Sequence, residues 1–118
     1  MKTERYIVTF FGIDNKYYTE EYISDLWRES ANKEYQNNNI YVSGLIEIKS
    51  LVCREVQVCG DTAHIVTTIR SPLDELDSET FFESYKTVVG NVRRKLGNPN
   101  MTLTVQNDVE YFYFIESR

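Results

Sequence analysis

The sequence predicts an α+β domain, a mainly antiparallel, twisted sheet of five to six strands in the chain order β-α-β-β-β-α-β-β with two amphipathic helices packed on one face. Three observations carry this. Two segments repeat apolar residues at helical spacing, each with a single apolar face. The segments around them are rich in β-branched and aromatic residues, and several alternate with period two. No linker or low-complexity tract divides the 118 residues, so residues 1–118 read as a single domain with one core.

The elements follow in order. Residues 5–12 (RYIVTFFG) form a strand that ends in a turn at Gly12-Ile13-Asp14-Asn15. Thr19 is a helix N-cap, with Glu20 and Glu21 in the first turn, where the helix dipole favours negative charge. Tyr22, Ile23, Leu26, Trp27, Ala31 and Tyr35 make its apolar stripe, and Asn37-Asn38-Asn39 stops it. Residues 40–49 and 51–59 read as two further strands, with Gly44 as a bulge or close-contact point. Gly60-Asp61 suits a type II′ hairpin turn into a strand at 62–70. That register places Cys53, Cys59 and His64 on a polar face, near Glu55, and Ile65, Thr67 and Ile69 on an aliphatic one. Ser71-Pro72 breaks the strand, and Asp77 or Ser78 caps a second helix. Its stripe is Phe81, Phe82, Tyr85, Val88, Val89, Val92 and Leu96, closed by Gly97 and Pro99. Residues 101–106 and 109–116 complete the set as strands joined by a tight turn at Asn107-Asp108.

Composition narrows the partners. Hydrophobic residues at 42% and charged residues at 26% describe a folded domain rather than a disordered one. A net charge of −5 lacks the basic footprint that nucleic acid requires. No apolar h-region follows Met1, and no stretch nears the ~20 apolar residues of a membrane span. Cys53 and Cys59, six residues apart in one strand, would lie ~20 Å apart, beyond disulfide reach. Two free thiols then point to the reducing cytoplasm.

The terminal strands depart from simple alternation. Tyr111, Tyr113 and Ile115 alternate with Phe112 and Phe114, so that strand is apolar on both faces, as is the first strand around Phe10. A strand apolar front and back needs something over each face. Phe10, Tyr111, Phe112, Tyr113 and Phe114 are therefore the candidate interface of a homo-oligomer, simplest as a two-fold dimer, or of a complex with another protein.

Motifs for chemistry are sparse. His64, the sole histidine, lies near Glu55 and the cysteines, an arrangement that admits a nucleophile or base but more often a surface histidine. The acidic run Asp74, Glu75, Asp77, Glu79 and Glu83 lacks the ligand spacing of a calcium loop, and no metal or cofactor is implied. Arg93, Arg94 and Lys95 suit a helix C-terminus, and with Arg28 the two arginines could hold an anion. The order of elements resembles tautomerase-type β-α-β domains in layout. That resemblance implies an oligomeric enzyme with an N-terminal proline base, where this chain has Lys2.

Three functions follow from these features. The first is a small acidic binding or inhibitory protein acting through an oligomeric aromatic surface, of the phage anti-defence or immunity type. The second is an oligomer that binds or sequesters an anionic or nucleotide-like ligand through Arg28, Arg93 and Arg94. The third is a small enzyme, tautomerase-like or otherwise, with an unrecognised site around His64 and Glu55.

Overall fold

A computed structural model describes residues 1–74 and 76–115, with Val56 and Val58 described by backbone alone. The chain runs β1 (Lys2–Phe11), α1 (Glu20–Asn38), β2 (Leu45–Ser50), a single turn α2 (Val56–Cys59), β3 (Thr62–Ile69), α3 (Ser78–Lys95) and β4 (Met101–Glu110). The four strands form one antiparallel sheet in the order β2-β3-β1-β4. Each long helix thus crosses over one intervening strand, and the two pair on the same face.

Local chemistry explains the helix ends. Thr19 accepts from the Tyr22 N–H, and Asn39 closes α1 in the left-handed conformation at φ 59. Asp77 caps α3 by accepting from the Thr80 N–H, which holds its carboxyl below the usual carboxylate range. That support is present above the ordinary carboxylate pKa and is lost as pH falls through the lowered one. Ile23, Trp27 and Ala31 of α1 meet Phe81, Tyr85, Val88, Val89, Val92 and Leu96 of the α3 side over Tyr6, Val8, Phe10 and Val66 of the sheet. Two polar links run inside this layer: the Ser30 hydroxyl to the Val88 carbonyl, and the Ser84 hydroxyl to the buried Glu34 carboxylate at 2.6 Å.

Several expectations are corrected, beginning with the strand count: the sheet has four strands among the described residues where five to six were expected. Residues 51–59 are not a strand. They close the β2–β3 hairpin as a loop, in which Leu51 N–H bonds Asp61 O and α2 makes one turn. That turn brings the Cα atoms of Cys53 and Cys59 to 6.4 Å, and the two sulfurs form a disulfide. Free thiols assumed an extended chain, which the turn removes. The predicted strand at 40–49 begins only at Leu45.

The faces of β3 are the reverse of those expected. His64, Val66 and Thr68 are buried toward the helices, while Ile65, Thr67 and Ile69 lie half-covered on the open side. The inner polar groups find partners there: His64 Nε2 lies 2.8 Å from the Tyr18 carbonyl, and Thr68 donates to the Ser43 carbonyl.

Finally, residues 101–106 and 109–116 do not form a hairpin. β4 continues along β1, with one extra residue between its pairings to Thr3 and Arg5 and Asp108 at φ 58. The ten-residue β1 offers an unbroken ladder, so Asn107-Asp108 bulges rather than turns. Residues 111–115 lie beyond the strand, and Glu116 lies outside the described residues, as does Glu75 of the acidic run.

Candidate functional site

A cleft of about 770 Å³ opens where α1 ends, β3 ends and α3 begins. Its size lies within the ~300–1,000 Å³ common for small-molecule sites. One wall is the segment 39–43, which carries Tyr41 and Ser43, and Tyr35 from the last turn of α1. The opposite wall is Arg70, Ser71 and Asp74, with Phe81 as part of the floor.

The first wall is held from below. Trp27 Nε1–H donates to the Val42 carbonyl at 3.0 Å, and Thr68 donates to the next carbonyl at 2.7 Å. Gly44 lets the chain pass close over these groups. A Cβ there would meet Val66 Cγ1 at 2.7 Å and Trp27 Nε1 at 2.9 Å, so glycine is required by space. Tyr35 and Tyr41 form an edge-to-face pair, centroids 6.1 Å apart, with about half of each residue still open to solvent.

The second wall is electrostatic. Arg70 makes a two-pronged pair with Glu4, Nε to Oε1 at 3.0 Å and Nη2 to Oε2 at 2.9 Å, and both side chains are 14% exposed. Nη1 donates to the Leu76 carbonyl, and Thr3 donates to the Arg70 carbonyl. The bonds to Glu4 hold the guanidinium more firmly protonated than usual. Aromatic faces, hydroxyls, a cation and an acid thus converge on one cleft. Such a wall can stack a heterocycle and bind a charged tail.

The arginines singled out from sequence lie elsewhere. Arg28 pairs with Asp25 on the exposed side of α1, Arg93 Nε donates to the Pro99 carbonyl, and Arg94 bonds Asn91. A second cleft, of about 530 Å³, lies at the far end of α3, bordered by Gly12, Gly60, Leu96 and Gly97 rather than by the arginines.

Of the expected interface, Phe10 is corrected. It points to the helices and is fully buried within its own chain. Tyr111 is half-covered, while Phe112, Tyr113 and Phe114 are exposed, Phe114 at 87%. His64 Nδ1 is buried without a partner among the described residues, and Glu55 is not near the cleft wall. Among the described residues no cluster of three or more His, Cys, Asp or Glu could hold a metal, and no helix is long and apolar enough to cross a membrane.

Sequence reasoning passed over Tyr41 and Arg70 as site residues, took Tyr35 only as part of a helical stripe, and weighed Asp74 only as a cation ligand. One signal was present: Glu4 and Arg70 are opposite charges at the ends of two apolar strands.

A family model described as SAM lyase matches residues 1–115. No curated protein matches the sequence. Among solved structures, an apo phage SAM lyase aligns at 14% identity with TM-score 0.58, covering 95% of this chain and 94% of that one. A phage SAM lyase in complex with S-methyl-5′-thioadenosine aligns at 15% identity and TM-score 0.58, covering 90% and 81%. A de novo designed protein with a ferredoxin fold aligns at 14% identity and TM-score 0.53, covering 100% and 96%. At these identities the structures show a shared fold.

Proposed function

The chain belongs to the SAM lyase family, and from that premise we propose that it cleaves S-adenosylmethionine in the Tyr35–Tyr41–Arg70 cleft. The observation that carries the reading is the family match across residues 1–115. The cleft supports it, since the adenine ring suits the paired tyrosine faces and the aminobutyrate tail suits the charged wall. A nucleotide-like ligand, one of the readings from sequence, is the chemical class of this substrate.

The chemistry asks little of side-chain nucleophiles. A carboxylate oxygen of the substrate attacks its own Cγ, the Cγ–S bond breaks, and its electron pair returns to sulfur. The products are S-methyl-5′-thioadenosine and a five-membered lactone that retains the ammonium, with no water, redox partner or net proton. Ring closure gains from proximity. Because carboxylate and sulfonium neutralise each other on the way to the transition state, a cleft that strips water from both favours the step. Tyr41, Leu73 and Leu76 supply such a surface.

Incubating the purified chain with S-adenosylmethionine is expected to yield the thioether and the lactone in equal amounts, read by chromatography and mass. Substrate that survives intact would sink the proposal.

Self-association belongs to the same proposal. Ile7, Ile65 and Ile69 lie on the sheet face that no helix covers, beside Leu45 at 71% exposure. Phe112, Tyr113, Phe114 and Ile115 add further exposed apolar surface. Native mass spectrometry should show more than one chain per particle, and a monomer at high concentration contradicts it. A cytoplasmic setting is also proposed, where Cys53–Cys59 would meet thiol reductants. An inhibitory role would then act by consuming a shared methyl donor rather than by gripping a protein.

A further inference from the structure

Arg70 has five N–H donors. Three are given to Glu4 and Leu76, which leaves one on each terminal nitrogen, on a residue that lines the cleft. Asp74 lines the same cleft, and its carboxylate has no hydrogen bond or ion pair among the described residues. A guanidinium with donors to spare and an unpaired carboxylate in one cleft match the two ends of an α-amino acid.

We infer that Arg70 and Asp74 select the zwitterionic amino-acid tail of the ligand, Arg70 taking the α-carboxylate and Asp74 the α-ammonium, with Glu4 as the positioning residue that fixes the Arg70 fork. This rests on the reading of the cleft as the substrate site. Glu4 occupies one full edge of the guanidinium, so the remaining N–H groups are held in a fixed direction instead of turning with a free side chain. A carboxylate bound through one oxygen keeps the other free to close the lactone. Asp74, on the ammonium, fixes rotation of the tail. The adenosine half needs neither residue.

The test uses the full chain and two ligands that cannot react. S-Adenosylhomocysteine carries the tail, and S-methyl-5′-thioadenosine lacks it. By calorimetry, Arg70→Lys and Asp74→Asn are each expected to weaken S-adenosylhomocysteine about 10-fold, the loss of one charged hydrogen-bonded contact. Binding of S-methyl-5′-thioadenosine should stay within about twofold. Glu4→Gln should shift selectivity in the same direction by less.

Equal weakening of both ligands, or of neither, overturns the inference and leaves the ion pair a structural pin. Asp74 is exposed, so Asp74→Asn keeps the test valid if the Arg70 variant fails to fold. Tyr41→Ala separates the two levels: it should weaken both ligands, and if it changes neither, the cleft reading itself has failed.

Discussion

Trp27→Ala is expected to lower unfolding free energy by about 3–5 kcal/mol, the range for deleting a large buried aromatic. Trp27 is 3% exposed, stands beside Tyr85 at 6.4 Å between centroids, and donates its indole N–H to the Val42 carbonyl. Alanine removes the ring and leaves that carbonyl short of a donor. The segment that carries Tyr41 and Ser43 then loses its anchor, so turnover should fall along with stability. Urea denaturation gives the first quantity and the S-adenosylmethionine assay the second. Trp27→Phe, which keeps most of the volume, isolates the hydrogen bond and should cost about 1 kcal/mol more than packing alone predicts. A Trp27→Ala chain within ~1 kcal/mol of the parent would show that the ring does not hold the core.

Glu4→Ala is expected to cost about 3 kcal/mol. Removing one partner of a mostly buried pair strands the other charge, and the figure sits at the low end because Arg70 borders a cleft that water can enter. The Tyr6 hydroxyl also loses its contact with Glu4. The double change Glu4→Leu with Arg70→Met should recover much of the loss, since apolar replacements of a buried pair are often neutral. That folded double variant should still bind S-adenosylhomocysteine poorly, because the donors that read the carboxylate are gone. Recovery of stability together with full binding would separate the ion pair from recognition altogether.

How much of the fold was readable varies by element. Both long helices were, down to the Thr19 cap and, within one residue, the Asp77 cap, because capping and a 3.6-residue stripe act within a few neighbouring residues. Tyr6, Val8 and Phe10 of β1 were grouped on one side, but with apolar residues on both sides of that strand Phe10 was assigned to an interface rather than to the core it joins. The loop at 51–61 was misread because valines at 52, 56 and 58 resemble a strand, whereas Val52 is 97% exposed in a segment that closes a hairpin. Asn107-Asp108 carries turn chemistry, but a left-handed residue serves a bulge as well as a turn. The face of β3 could not be judged locally, since His64 and Thr68 are buried only because Tyr18 and Ser43 bring carbonyls to them.

The site was less legible than the fold for the same reason. Tyr41 and Arg70 are far apart in sequence and meet only when α1 and β3 end at one side of the sheet. What the chain dictates alone is an α+β layout of two capped helices and apolar strands, since propensity and periodicity are properties of short segments. Which strand pairs with which, whether the cysteines meet, and which cation faces an open cleft are decided by contacts between distant residues. Those contacts depend on the whole core forming at once, and no short window of sequence contains them.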